Sequence, residues 1–312
     1  MIVVGGGPAG LAAATWLSRY RRSVLVLDGG PPRSGSTDFT HGYLGSDPIS
    51  PSELLDRARA ELAAYATASR RQTRATTAWA EGAGRFTVAT DDGADVRARR
   101  LVLATGVVDE RPPVAGIEEH YGASAFHCPS CDGYEARDRR VVVLGWGAQV
   151  AGMALELLDW AREVTIVTAG NHFEGDERHR EALHRHGVAL VDAEASELVG
   201  PRHGLECVRL RDGRALPCDL LFFSFAHYPQ TDLARQLGCE TTGEGCLRVD
   251  DEGRTSVDGV YGAGDVTPGI QLVQVAAAKG TLAGVTCAQS LAGEPRATSA
   301  PAPGPDAEAE LS

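Results

Sequence analysis

Residues 2–28 contain Ile2-Val3-Val4-Gly5-Gly6-Gly7-Pro8-Ala9-Gly10, a helical pattern from Leu11 to Tyr20, and then Val24-Leu25-Val26-Leu27-Asp28. A short apolar strand, Gly-x-Gly-x-x-Gly, a helix, a second apolar strand and a terminal acid form the fingerprint of a dinucleotide-binding βαβ unit. Each part has a physical reason. Gly5 allows the tight turn, Gly7 lets the backbone approach a pyrophosphate, and Gly10 lets helix and strand pack closely. The helix N-terminus offers unpaired N–H groups and a partial positive charge to the phosphates. Asp28 is placed to accept hydrogen bonds from a ribose. A glycine triplet alone is a weak signal, but here its whole context is present.

The pattern returns further along. Val141 to Leu144 reads as a buried strand, Gly145-Trp146-Gly147 as a turn, Ala148 to Trp160 as a helix and Val164 to Val167 as a strand. This second βαβ unit has a damaged fingerprint: Val150 stands where the third glycine belongs and Trp146 sits between the first two. Between the two cycles, Leu101 to Leu103 is a buried strand ending at Ala104-Thr105-Gly106, and Arg111-Pro112-Pro113 breaks the pattern at an expected domain crossing. Leu220 to Phe225 and Val260 to Gly262 are further buried strands, the latter running into Ala263-Gly264-Asp265. A helix is expected over Gln271 to Leu282.

Cys128-Pro129-Ser130-Cys131-Asp132 lies just before the second cycle. Two cysteines spaced by two residues close a small disulfide ring, and one thiol of such a pair commonly has a lowered pKa. The adjoining acid is suited to exchanging a proton with an arriving or leaving thiol. Zinc is the competing use of Cys-x-x-Cys, but it needs a second closely spaced pair. Cys207, Cys218, Cys239, Cys246 and Cys287 offer none, so no metal is expected.

The chain of 312 residues is long enough for two domains, with 43% hydrophobic and 23% charged residues, as in a soluble globular protein. A net charge of −12 argues against nucleic acid or an anionic membrane as partner. No run approaches the roughly 18 apolar residues of a membrane helix. The sequence opens directly on a strand, so no signal peptide is expected and a cytoplasmic location is. The seven cysteines then read as free thiols plus one catalytic pair. From Gly293 onward there is no apolar periodicity, and residues 294–312 read as a disordered acidic tail.

Taken in order, Gly5-x-Gly7-x-x-Gly10, Ala104-Thr105-Gly106, Cys128-x-x-Cys131-Asp132-Gly133 and Gly262-Ala263-Gly264-Asp265 resemble the low-molecular-weight thioredoxin reductases over all but the tail. The resemblance implies an α/β fold of two Rossmann-like, three-layer FAD/NAD(P)-binding domains, the second inserted in the first. Residues 1–110 with 247–293 would form the FAD domain. Residues 111–246 would form the insert carrying the redox pair, and the assembly would be a homodimer. FAD would lie against Gly5, Gly7, Pro8, Ala9, Gly10, Asp28, Gly29, Arg33, His41, Thr105, Gly106, Gly264, Asp265, Gln271, Leu272 and Val273. Asp265 would hold its ribityl or phosphate portion. Backbone N–H groups near Leu272 and Val273 would face the pyrimidine edge.

The departures are as informative as the match. Where the reductases carry His-Arg-Arg and a further Arg to grip the 2′-phosphate of NADPH, this chain reads Thr168-Ala169-Gly170-Asn171-His172-Phe173-Glu174. Each charge-assisted hydrogen bond is worth about 1.5–3 kcal/mol. Losing two or three therefore predicts NADPH binding weaker by about two to four powers of ten. A retained flavin motif and cysteine pair without the NADPH grip resemble the FAD-dependent dithiol oxidases that close disulfides in natural products such as gliotoxin and holomycin. His127 and Cys128-Pro129-Ser130-Cys131 fit the bacterial members best. Fungal members carry His where this chain has Asp132, so Asp132 and His127 both stand as the acid–base group. This branch implies a small-molecule dithiol as substrate and O2 as electron acceptor. The alternatives are an NADPH-dependent thioredoxin or disulfide reductase and a non-catalytic redox sensor.

Overall fold

The computed structural model describes residues 1–82 and 84–300. The chain divides into two units. Met1–Gly35, Tyr43–Val108 and the chain from Tyr228 onward form the first; Ser36–Gly42 and Asp109–His227 form the second.

In the first unit the strands Ile2–Val4, Val24–Leu27 and Leu101–Leu103 are buried at every residue, as a parallel strand covered on both faces must be. With Val260–Gly262 and Ala68–Arg71 at the edges they make a five-stranded parallel sheet. Val3 is in register with both Val26 and Val102. One face packs against the helices Pro8–Arg19 and Val273–Gln289. Those helices touch through small residues: a Cβ on Gly280 would lie 2.1 Å from the Ala9 carbonyl oxygen. The other face is covered by the antiparallel strands Ala75–Gly82, Arg85–Thr90 and Asp95–Ala98, through Ala78, Phe86, Val88 and Val96.

The second unit repeats this plan. Its parallel sheet runs, in spatial order, Ala189–Val191, Glu163–Val167, Arg140–Leu144, Leu220–Phe223 and Ala125–Phe126. The helices Gln149–Leu157 and Glu177–Arg185 pack on one side, and a three-stranded antiparallel sheet covers the other. An α/β chain of two three-layer units, one inserted in the other, is the expected architecture.

Two boundaries differ from the sequence reading. The chain returns to the first unit at Tyr228, not at residue 247. The reason is the helix Asp232–Gln236 and the turn after it. Leu233, Ala234 and Leu237 join the core around Phe86, and Gln236 Oε1 accepts the Ala78 N–H at 2.8 Å. The tail also begins later than expected. Buried Arg22 donates to the carbonyls of Leu291, Glu294 and Pro295, and the Ala297 N–H donates to Arg21 O at 3.0 Å. Residues 301–312 of the expected tail lie outside the described residues.

Candidate active site

The glycine cradle of the first unit is built by exclusion. Gly5 has φ +115°, and a Cβ there would lie 2.2 Å from Ala104 O. A Cβ on Gly10 would lie 1.9 Å from Gly5 O, so only hydrogen fits between helix and strand. Gly7 is the opposite case, with nothing within 4 Å of an added Cβ. It is also the N-cap of the helix Pro8–Arg19 and makes no side-chain capping bond. Asp28 closes the second strand, 4% exposed, and accepts from Arg70 Nη1 at 2.9 Å and Arg59 Nη2 at 3.4 Å. An open backbone, an uncapped helix start and a buried acid at the strand end fit the adenosine and pyrophosphate half of FAD.

Other predicted residues of this unit fall around it. Gly29 O accepts from Arg74 Nη2 at 2.9 Å. Arg33 Nη1 bridges Asp265 Oδ2 at 3.0 Å and Gln271 Oε1 at 2.7 Å, tying three predicted positions together. Gly264 has φ +76°, with an added Cβ 2.7 Å from that of Ala9. Leu272 is the N-cap of the helix Val273–Gln289 and makes no side-chain capping bond. Thr105 has a structural use: its hydroxyl donates to Gln230 O at 2.6 Å, and Gly106 O accepts the Gln230 N–H at 2.9 Å. His41, expected beside the cofactor with these residues, belongs to the other unit.

The redox pair lies in the second unit. Cys128 and Cys131 form a disulfide with a Cα–Cα distance of 5.3 Å. Pro129 starts a single helical turn, Pro129–Asp132, and Cys128 caps it: its Sγ accepts the Cys131 N–H at 3.1 Å. Gly133 follows because the Trp160 ring lies where a Cβ would be, at 2.5 Å. Asp132 is 8% exposed. Burial pushes its carboxyl up to about 7, the negative charge of Glu135 adds to the rise, and His41 opposes it. An acid with that value is half protonated near neutral pH, where proton exchange in both directions is most effective.

His127 is engaged elsewhere. Its Nδ1 lies 3.0 Å from the Tyr121 hydroxyl and its Nε2 lies 3.9 Å from Asp109 Oδ2. Its ring also packs against Tyr121 and Phe223. Of the two acid–base candidates, Asp132 has the environment of a proton carrier. The remaining cysteines are free thiols, and burial pushes Cys218 and Cys287 up to about 12, leaving them inert at neutral pH. Among the described residues no group of three or more His, Cys, Asp or Glu is arranged to hold a metal ion.

The second glycine turn differs physically from the first. Gly147 is buried, and a Cβ on it would meet the Gln149 amide at 2.3–2.7 Å. Trp146 packs edge-on to Phe225 at 5.2 Å, and its carbonyl accepts the Glu174 N–H at 2.8 Å. The loop that would carry a phosphate grip is thus tied to the turn, and it holds no Lys or Arg from Thr168 to Glu174. Arg180, just beyond, donates to Phe173 O at 3.3 Å and lies over the Phe173 ring. Sequence reasoning missed Gln149 and Glu135; the spacing of three from Asp132 was the available signal for Glu135.

A family model for the pyridine nucleotide-disulphide oxidoreductases matches residues 1–280. Its thioredoxin reductase-type members are flavin disulfide oxidoreductases that bind FAD. The crystal structure of HlmI is similar, with a TM-score of 0.88 and 33% identity over 93% of this chain and 91% of that one. A thioredoxin reductase of Gibberella zeae is 30% identical over 93% of this chain and 97% of its own. The thioredoxin reductase tcpT of Claviceps purpurea is 30% identical over 91% of each.

Proposed function

The chain belongs to the pyridine nucleotide-disulphide oxidoreductase family, and on that premise we propose that it is an FAD-dependent dithiol oxidase. It closes an intramolecular disulfide in a small-molecule dithiol, with O2 as electron acceptor. Held against Gly5, Gly7, Gly10 and Asp28, FAD would supply a two-electron acceptor for the reduced cysteines and a route for that pair to O2, with hydrogen peroxide as the product.

The chain's own residues carry the thiol chemistry. A substrate thiolate attacks Cys128 Sγ, forming a mixed disulfide and breaking the Cys128–Cys131 bond. Asp132 protonates the Cys131 sulfur as it leaves with the bonding electrons. The Asp132 carboxylate then takes the proton of the second substrate thiol, which displaces Cys128 and closes the substrate disulfide. In the disulfide the Cys131 N–H already lies 3.1 Å from the Cys128 sulfur, a donor placed for the thiolate that is released.

The observation that carries the reading is the absence of any Lys or Arg from Thr168 to Glu174, beside a complete cysteine pair. A homodimer in the cytoplasm, acting in natural-product biosynthesis or self-protection, goes with the same reading. The thioredoxin reductase relatives favour NADPH-dependent disulfide reduction as the second reading. Anaerobic stopped-flow absorbance of the flavin separates the two. A small dithiol is expected to bleach it quickly, NADPH slowly or not at all, and admitted oxygen to restore it with release of peroxide. Rapid bleaching by NADPH, without peroxide from dithiol, returns the protein to the reductases.

A further inference from the structure

Residues 36–42 pack with the second unit, as a strap running from the first. Asp38 pins it. Its carboxylate takes Arg202 Nη2 at 2.8 Å and lies 3.6 Å from His203 Nδ1, and its N–H donates to Gly122 O at 3.1 Å. Gly122, with φ +77°, leaves room for the Ser36 carbonyl where a Cβ would sit at 2.4 Å. Held in this way, the strap brings His41 Nε2 to 3.7 Å from Glu135 Oε1. The other oxygen of Glu135, Oε2, is buried and has no hydrogen-bond partner among the described residues. An orphaned carboxylate oxygen is costly to keep. Three residues from the buried Asp132 it has a use, because a negative charge there disfavours ionisation of the neighbouring carboxyl.

We propose that Glu135 and His41 are a positioning pair for proton transfer at the disulfide: Glu135, in the turn that Asp132 caps, sets the charge beside Asp132, and His41 offsets that charge when the disulfide opens. The inference rests on Asp132 as proton donor. When the S–S bond opens, Asp132 loses its proton to the departing cysteine sulfur and two carboxylates stand together. His41 Nε2, 3.7 Å from Glu135 Oε1, is the group placed to lower their repulsion. On the adjoining elements, Glu156 accepts the Ser130 hydroxyl at 3.2 Å, and Arg137 lies over the Tyr134 ring.

The test is the rate at which the FAD-loaded protein forms oxidised dithiothreitol in its first anaerobic turnover. It is followed by quenched flow as a function of pH and divided by the dithiothreitol thiolate concentration. The wild-type profile is expected to fall as Asp132 loses its proton, and Asp132→Asn to abolish that inflection. Glu135→Gln is expected to move the inflection down by about one pH unit and His41→Gln to move it up, with His41→Arg restoring the wild-type position. Equal slowing at every pH with the inflection unmoved, or shifts in the same direction, overturns the pair. An inflection that persists in Asp132→Asn overturns it by removing its premise. Peroxide is measured separately, so failure of the oxidase reading leaves a different signature from failure of the pair.

Discussion

At the scale of single residues, the difference between Gly10 and Gly7 is the presence or absence of room. Gly10→Ala drives a methyl against a backbone carbonyl that cannot move aside, so it is expected to cost at least the upper end of the about 1–3 kcal/mol typical of overpacking. Gly7→Ala meets no protein atom within 4 Å and should leave the apoprotein's melting temperature unchanged while removing bound FAD. Calorimetry of the apoproteins, with flavin content read by absorbance, checks both. Asp132 gives a pH test at the same scale. Its folded pKa is raised from 3.8 to about 7, so its favourable contribution is present below the unfolded value and lost as pH rises through the folded one. Asparagine does not titrate. The Asp132→Asn variant should therefore match wild type near pH 4, gain on it up to about pH 7, and hold a constant advantage above. That advantage is about 4 kcal/mol at most, read as the difference in melting temperature across the range.

At the scale of elements, two strand–turn–helix units share one plan and have different mouths. The first turn presents an open glycine backbone below an uncapped helix. The second presents Trp146 braced on Phe225, Gln149 over Gly147, and a loop that ends in Glu174 rather than arginine. Charge at the loop is the larger effect, since a flexible Gln149 can swing aside but the loop holds no substitute for the missing arginines. Glu174→Arg restores one charge-assisted bond worth about 1.5–3 kcal/mol. It should raise the apparent affinity for NADPH by about ten- to a hundredfold, measured from the concentration dependence of anaerobic flavin bleaching. No gain would mean that the turn, rather than the loop, excludes the nucleotide.

At the scale of the whole molecule, each unit has its own apolar core, and the chain end adds to the first. Arg22, 9% exposed, directs its guanidinium at carbonyls from Ala288 to Pro295, and Arg99 pairs with Glu294 at 3.3 Å. Truncation after Ala300 should leave the melting temperature unchanged. Truncation after Gly293 removes two acceptors of Arg22, each hydrogen bond worth about 1 kcal/mol, and should lower the melting temperature by about 2–4 °C per kcal/mol lost. Thermal scans of the two truncated proteins beside the full chain decide the matter.

What the sequence by itself determined were features whose causes are local in the chain. Gly5, Gly7, Gly10 and Asp28 could be read because the turn, the helix start and the strand end lie within one βαβ unit. Cys128 and Cys131 could be read because their spacing alone allows the ring, and the lack of any Lys or Arg from Thr168 to Glu174 because it falls in one short loop. Only the tertiary structure decided where the chain returns to its first unit, since the burial of Leu233 and Leu237 depends on a core around Phe86 that is distant in sequence. It also set Asp132 and His127 in different environments. Their difference lies in surroundings: a buried carboxyl beside Glu135 in one case, and a ring held by Tyr121 and Asp109 in the other. His41 makes the same point most clearly. Its place 3.7 Å from Glu135 is created by packing between segments far apart in sequence, which nothing near it in the chain signals.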